Sequence, residues 1–392
     1  MATSTSLRNK VAIIGVGESD IGKVPNQTGL GLNVQAARRA IVDAGLKPSD
    51  IDGLLTAYSY VEPYQMLGSA LCEYTGIRPR MAASMVVGGA SPGVMLHHAA
   101  TSIAMGLAET VLVCAGENRA TGLGREGSIA MLTNQGHPQF ERPFGGSIPA
   151  GYAMVARRYM HEFGITREQL AAVAVNTRAH ALLKPNAQMK TPLTIEDVLA
   201  SKPIADPLRM LDCCIISDAA GAFIVTSAER AQDLKHKPAY LLGIGEMHTH
   251  EHIMCAPSFT HFGAAESGRM AFEMAGVGPK DMDLAQLYDC FTIVPIIELE
   301  ELGFVEQGAG GQFFLDGHAR IGGKLPINTH GGMLSQAHAG AAGALLGIVE
   351  SVRQLRGTEG ARQVKDARLA LVHNEGGILS SHCTMIFSNQ KG

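Results

Sequence analysis

The chain has 392 residues, 46 of them glycine, with 46% hydrophobic and 17% charged side chains and a formal net charge of −4. That length suits two domains of about 150 to 200 residues better than a single core. A near-neutral balance without a run of five Lys or Arg gives no electrostatic footprint for nucleic acid or anionic membrane.

No stretch approaches the roughly 18 to 20 uninterrupted apolar residues of a membrane span, and the opening MATSTSLRNKV has no apolar signal core. The closing SNQKG is not a peroxisomal signal. Seven scattered cysteines (Cys72, Cys114, Cys213, Cys214, Cys255, Cys290 and Cys383) lie mostly among apolar neighbours and read as reduced thiols. A cytoplasmic location is therefore expected.

In chain order, the first strand is VAIIGVGES (Val11 to Ser19), and NVQAARRAIVDAG reads as a helix that runs into AGLKPSDID (Ala44 to Asp52). Next, SMVVGGASPGVMLHHAA (Ser84 to Ala100) reads as a strand, a tight glycine turn and a helix N-terminus, a geometry that can hold phosphates or display a nucleophile. Ser91 is the only reactive side chain in that turn and is expected to cap the helix, since no acid–base partner for it is evident. The following helix, MLHHAATSIAMG, is apolar around most of its circumference, so it should be buried, with His97 and His98 as satisfied core histidines. ETVLVCAGE and GAFIVTS read as buried strands and GYAMVARRYMHEFG as a helix. Cys213 and Cys214 read as packing residues.

The second part of the chain repeats the first. AYLLGIGEM (Ala239 to Met247) copies the opening strand, and AGVGPKDMD (Ala275 to Asp283) copies AGLKPSDID at nearly the same offset. The expected organisation is α/β with two similar halves, residues 1–235 (with a loop insertion at about 118–210) and 236–392. The copy also argues that GVGESD is a framework turn, not a dinucleotide fingerprint, whose last glycine it lacks.

Polar residues interrupt apolar structure at three further places. In LAQLYDCFTIVP, Tyr288, Asp289, Cys290 and Thr292 punctuate a strand-like run. In INTHGGMLSQAHAGAAGALLG, Asn328, His330, Ser335 and His338 crowd a glycine-rich loop before a helix. In LALVHNEGGILSSH, a strand ends in His373, Asn374 and Glu375 followed by Gly376 and Gly377. His248, His250, His252, Cys255 and His261 alternate as zinc ligands on a strand can, but at no standard finger spacing, so the segment reads as a substrate-facing lid or a metal site, and no metal is assigned.

AETVLVCAGEN, VARRYMHEFGITREQLAAVAVNTRAHALLKPNA, TIEDVLASKPIADPLRMLDCCIISDAAGAFIVTSAE, YDCFT and NTHGGMLSQAHAGAAG together resemble the thiolase superfamily, in its branch similar to sterol-carrier-protein thiolases. The resemblance covers nearly the whole chain and implies a duplicated five-layer αβαβα fold. Thiolases display a nucleophilic cysteine in a turn before a buried helix, and Gly89 stands at that place. Asn374 or Glu375 stands nearest the second thiolase cysteine. His338 matches the histidine of the Gly-His-Pro motif, although its neighbours are Ala337 and Ala339, and Tyr288 is the first residue of the Asn/His-(Glu/Asp)-x-Phe motif.

A glycine cannot carry an acyl group, so a thioester at position 89 is excluded. What the resemblance leaves is enolate chemistry on a CoA thioester: retro-aldol cleavage of a β-hydroxyacyl-CoA. Tyr288 would act as base if a neighbouring charge or a dry pocket tunes it, and His338 would face the thioester oxygen. The Gly89 N–H with the Gly376 and Gly377 backbone would bind the other anion, and Asp289, Cys290, Asn328, His330 and Ser335 would support them. This is similar to the cysteine-less steroid side-chain aldolases, which work with a small OB-fold/zinc-ribbon partner. Those enzymes carry a second tyrosine near the position of His338, which this chain lacks.

Two other readings stay open: an acyltransferase (acetyl-CoA acetyltransferase type) borrowing a thiol from Cys290 or a partner chain, and a non-catalytic acyl-CoA or lipid carrier. No cofactor is expected beyond coenzyme A as part of the substrate. Its phosphates have Arg157, Arg158, Arg178, Lys184 and Lys190 as candidates, and the resemblance implies a homodimer.

Overall fold

A computed structural model of the chain describes residues 6–234 and 236–392, so the expected boundary at Lys235 lies outside the described residues. In chain order the strands are β1 (Val11–Glu18), β2 (Gly53–Ala57), β3 (Met81–Met85), β4 (Thr110–Asn118), β5 (Pro203–Ala205), β6 (Leu208–Arg209), β7 (Asp218–Ser227), β8 (Ala239–His248), β9 (Leu284–Gln286), β10 (Leu369–Gly376) and β11 (Ser381–Ser388). The helices are α1 (Gly29–Ala44), α2 (Leu67–Thr75), α3 (Ser91–Ala104), α4 (Gly124–Thr133), α5 (Ile148–Phe163), α6 (Arg167–Leu182), α7 (Ile195–Ala200), α8 (Ala228–Ala231), α9 (Ala264–Ala275), α10 (Ile293–Glu301), α11 (Gly310–Leu315) and α12 (Ala342–Arg356).

Nine strands pair in the order β3-β2-β4-β7-β1-β8-β11-β10-β9, and β5 and β6 form a separate ribbon. Apart from β3, which has no counterpart, the order is symmetric about the β1/β8 junction, where Ala12 and Ile13 pair with Tyr240 and Ala239. On one side β2 runs parallel to β4, which is antiparallel to β7, itself antiparallel to β1. On the other, β9 runs parallel to β10, then β11 and β8 follow antiparallel.

The sheet wraps around α3 and α12. These helices touch each other and strands from both sides of the junction, burying Met95, Leu96 and Ala99 against Leu345, Ile348 and Val349. Helix α1 covers the outer face of β1, β4 and β7, and α9 that of β8 and β11, which gives alternating helix and sheet layers. Strands β1, β7 and β11 are covered on both faces, which is why they read as continuous apolar runs.

The repeated Gly-x-Gly lies inside strands, not in turns as the sequence suggested. A Cβ on Gly15 or Gly17 would strike the carbonyl of Ala40 or Ala36 in α1, and one on Gly243 or Gly245 that of Ala271 or Ser267 in α9. Each glycine pair therefore lets a helix backbone lie directly on a strand. The second repeat is equally physical. Gly45 and Gly276 end α1 and α9 with φ of 69° and 66°. Asp52 then accepts the N–H of Thr110 at 2.9 Å, as Asp283 accepts that of Leu369 at 2.9 Å, so each aspartate fastens a neighbouring strand.

Three local expectations differ from the structure. Segment 118–210 is largely helical, carrying α4 to α7. LAQLYDCFTIVP is strand only over β9, because Tyr288 to Thr292 turn away to start α10. Helix α3 is not buried all round: His98 is exposed and half-buried His97 pairs its Nδ1 with Glu246 Oε1 at 2.5 Å.

Candidate active site

The glycine turn between β3 and α3 is built by a serine and by missing side chains. Ser91, the first residue of α3, accepts the Val87 N–H at 2.9 Å and donates to the Gly88 carbonyl at 2.7 Å, so it closes the turn and does not cap the helix. Gly88 has φ 55° and lies against the β10–β11 turn, where its Cβ would come within 2.8 Å of Gly376 Cα and Gly377 N. This close approach brings the two halves of the sheet together at one point.

Gly89 faces the site. A Cβ there would collide with the hydroxyl and Cε2 of Tyr288 and with the Glu375 carbonyl. Tyr288 is held from its backbone, where its N–H donates to Glu298 Oε2 at 2.8 Å. Burial first, then the neighbouring Cys290, Glu375 and Cys214 groups, push its phenol well above the usual value, against the opposing pull of Arg119. The dry pocket therefore keeps Tyr288 protonated at rest, opposite to the tuning a free base would need.

The His338 ring stands edge-on to Tyr288, with centroids 6.5 Å apart. Burial, reinforced by Arg119, holds its imidazole down to about 3, so it is neutral. Its Nδ1 meets Cys214 Sγ at 2.8 Å, and burial pushes that thiol up to about 12. A thiol that keeps its proton donates to Nδ1, which leaves the ring proton on Nε2 as a donor.

Arg119, just past β4, escaped the sequence reading. Its Nε donates to Glu117 Oε2 at 2.6 Å, and Glu117 Oε1 is fixed by the Ser59 hydroxyl and the N–H groups of Tyr60 and Val61. Among the described residues neither terminal guanidinium nitrogen makes a hydrogen bond to protein. The charge acts on Tyr288, His338 and Cys214, making Arg119 the cation of the site. The only trace it left in sequence was its place directly after the quoted strand.

On the other side of Tyr288, the Tyr152 hydroxyl lies 2.7 Å from Glu375 Oε2 and 2.9 Å from the Gly377 carbonyl, and the Leu379 N–H donates to Glu375 Oε1 at 2.7 Å. The Tyr152 ring stacks on Phe291 at 4.5 Å. Burial raises the Glu375 carboxyl to about 8, despite hydrogen bonds from Tyr152 and Leu379. Cys290 beside it is buried, and burial with the Glu375 and Cys214 charges pushes its thiol well up.

Residues 245–389 match the family described as thiolase C-terminal domain-like. The chain is 34% identical over 383 residues to an acetyl-CoA acetyltransferase of Methanothermobacter thermautotrophicus, covering 96% of this chain and 99% of the relative. It is 38% identical over 366 residues to the 17-hydroxy-3-oxo-4-pregnene-20-carboxyl-CoA lyase of Mycobacterium tuberculosis, covering 90% and 93%. A solved structure described as an Ltp2-ChsH2(DUF35) aldolase superposes with a TM-score of 0.86 at 35% identity, covering 97% of this chain and 98% of that one. The chain belongs to the thiolase superfamily. It is an enzyme of that superfamily's sterol-carrier-protein-thiolase-like branch, and its chemistry concerns CoA-linked substrates.

In this thiolase-superfamily enzyme the supporting residues separate into two groups. Asp289 binds the loop, accepting the N–H groups of Met333 at 2.8 Å and Leu334 at 3.4 Å, and burial raises its carboxyl to about 7. Asn328 accepts the Leu287 N–H at 2.8 Å, Ser335 accepts from Arg178 at 2.8 Å, and His330 pairs with Gln286 at 3.0 Å. These contacts brace the glycine-rich loop and its approach to Tyr288 without joining the Tyr288–His338 pair. Asn374 is directed to the Ala344 carbonyl at 3.4 Å, so Glu375 is the residue of that pair beside Tyr152.

The phosphate candidates also divide. Lys184 is buried against Glu18 at 3.0 Å and Glu350 at 3.8 Å. Arg178 is buried on Ser335, and Lys190 donates to the carbonyls of residues 184 and 185. Lys184 and Arg178 are thus held inside the fold, whereas Lys190 is exposed at its surface. Arg157 and Arg158 line a groove of about 600 Å³ along α5, the helix that carries Tyr152 in its first turns. The histidine segment scatters: His248 turns to Glu246, His250 to the Ile378 carbonyl, His252 to Glu141 and His261 to Gln307. His250 thereby ties this segment to the β10–β11 turn.

Proposed function

We propose that the protein cleaves the Cα–Cβ bond of a β-hydroxyacyl-CoA by a retro-aldol reaction without an acyl-cysteine. The observation that carries this reading is that the Tyr288 hydroxyl fills the space a side chain at position 89 would need. Position 89 can hold no nucleophile, and a phenol stands there instead. The neutral His338, with its Nε2–H, donates to the enolate oxygen that forms as the bond breaks, and Arg119 balances the developing charge. The phenol receives the β-hydroxyl proton while passing its own on. In this reading the Gly89 amide and the Gly376–Gly377 backbone hold the second oxygen, Arg157 and Arg158 meet the CoA phosphates, and coenzyme A enters only with the substrate.

The acyltransferase reading is less favoured because nucleophilic attack needs a thiolate, and Cys290 is buried among carboxyl and thiol groups that oppose its ionisation. A steroid or aromatic acyl group, a homodimer through the exposed edge at β3, and a small OB-fold/zinc-ribbon partner complete the proposal. Among the described residues no helix is long and apolar enough to cross a membrane, in keeping with a cytoplasmic enzyme.

The test offers the purified protein, alone and with a co-expressed partner of that kind, matched β-hydroxyacyl- and β-ketoacyl-CoA panels, with products followed by mass spectrometry. A carbonyl product plus a shortened acyl-CoA, formed without consuming free CoA, is expected, and Tyr288→Phe should lower the rate by about 10²- to 10⁴-fold. CoA-dependent cleavage of the β-keto panel would overturn the proposal.

A further inference from the structure

We infer that Glu375 is the acid–base group that exchanges the reaction's proton with Tyr288 and delivers it to the α-carbon, an inference that rests on the retro-aldol reading. The starting point is a proton count. Tyr152 has one hydroxyl hydrogen but lies within hydrogen-bond distance of two acceptors, Glu375 Oε2 at 2.7 Å and the Gly377 carbonyl at 2.9 Å. Both contacts are satisfied together when Tyr152 donates to Gly377 and a protonated Glu375 donates to Tyr152. The other carboxyl oxygen is already satisfied by the Leu379 N–H. The site thus stores a proton on the side chain of the residue whose main-chain carbonyl lies, with the Tyr288 hydroxyl, against Gly89.

The surroundings keep this carboxyl near its switching point. Tyr152 of α5, Tyr288 and Cys290 of the β9–α10 loop, and Glu298 of α10 act on it or are acted on by it, and none is a cation. His382 lies opposite it in the β10–β11 register and bonds His373 at 3.0 Å; both imidazoles are held low by burial and stay neutral. With the carboxyl raised to about 8 by burial, both protonation states are accessible near neutral pH, as a group that must take and return a proton requires.

The step balances. The β-hydroxyl gives its proton to Tyr288 oxygen as Tyr288 gives its own to the Glu375 carboxylate. The O–H electron pair becomes the new carbonyl bond, and the Cα–Cβ pair passes into the thioester enolate. Glu375 then returns the proton to the α-carbon, which releases the shorter acyl-CoA and restores the carboxylate.

Glu375→Gln is the decisive variant, because an amide can donate to Tyr152 and accept from Leu379 as the protonated acid does, yet cannot exchange a proton. Two assays are read for wild type and variant across pH 6 to 10: cleavage of β-hydroxyacyl-CoA, and α-proton exchange of a saturated acyl-CoA in deuterated water. Expected is a loss of both in Glu375→Gln of about 10²-fold or more at an unchanged melting temperature. Wild-type cleavage should rise with pH through a limb near 8, which moves upward in Tyr152→Phe because a hydrogen bond that lowers the carboxyl is removed. Retention of both activities in Glu375→Gln within about threefold would overturn the role of Glu375. Wild-type exchange without cleavage would sink the lyase reading and leave Glu375 as the α-carbon acid–base group, whereas neither activity in wild type would sink both.

Discussion

Tyr288 and Gly89 share one volume: the phenol hydroxyl lies where the first side-chain atom of any larger residue at 89 would have to be. A cysteine introduced at 89 is therefore not expected to give thiolase activity. Gly89→Ala should destabilise the fold by about 1–3 kcal/mol through overpacking and lower cleavage by about 10²-fold through displacement of the phenol. Gly89→Ala combined with Tyr288→Ala removes the collision with the phenol but not the one with the Glu375 carbonyl, so the double variant should lose less stability than the sum of the two single variants and stay inactive. Thermal melts and initial rates on the single and double variants measure this coupling.

Cys214 was read from sequence as packing, yet it is the hydrogen-bond partner of His338. Cys214→Ala should leave KM nearly unchanged and lower kcat about 10- to 100-fold, because the Nε2–H tautomer is no longer fixed. Cys214→Ser, which keeps a donor, should recover part of the loss. Equal effects of alanine and serine would show that the thiol serves packing alone.

Among the described residues the two terminal guanidinium nitrogens of Arg119 make no hydrogen bond to protein, while its Nε is held by Glu117. Arg119→Met should lower kcat/KM about 10²- to 10³-fold, the range seen when one donor to a developing oxyanion is lost. Because burial, with Arg119 adding to it, holds the His338 imidazole down, the variant should also show a higher His338 pKa, readable by NMR titration.

Lys184 and Arg157 were equivalent candidates for phosphate contact in sequence but have opposite expected phenotypes. Lys184→Met removes one buried cation from Glu18 and Glu350, which keep Arg353 and Arg362, so stability should fall by about 1–3 kcal/mol in urea melts with little change in KM. Replacing Arg157 and Arg158 by alanine should raise KM for acyl-CoA with little change in stability. A reversal of these two patterns would place the CoA phosphates beside Lys184.

Periodicity and internal repetition reached the layered architecture because the forces behind them are local. Strands covered on both faces must be apolar throughout, and the two Gly-x-Gly copies record two places where a helix backbone rests on a strand. The family resemblance further implied an elbow with glycine where thiolases carry the nucleophile, and a tyrosine and a histidine at two other motif positions.

Tertiary structure alone decided what surrounds them. Arg119, Cys214 and Tyr152 lie in segments far from Tyr288 and His338, and no spacing rule links them, since their proximity depends on how α5, the end of β4 and the stretch before β7 fold back over the sheet. Tertiary packing likewise sent Lys184 into a buried ion network and turned the His330 Nδ1 to Gln286. Burial is the common physical reason. Desolvation holds Tyr288 protonated, His338 neutral and Glu375 near its switching point, and desolvation depends on what covers a residue, which its own sequence neighbours do not encode.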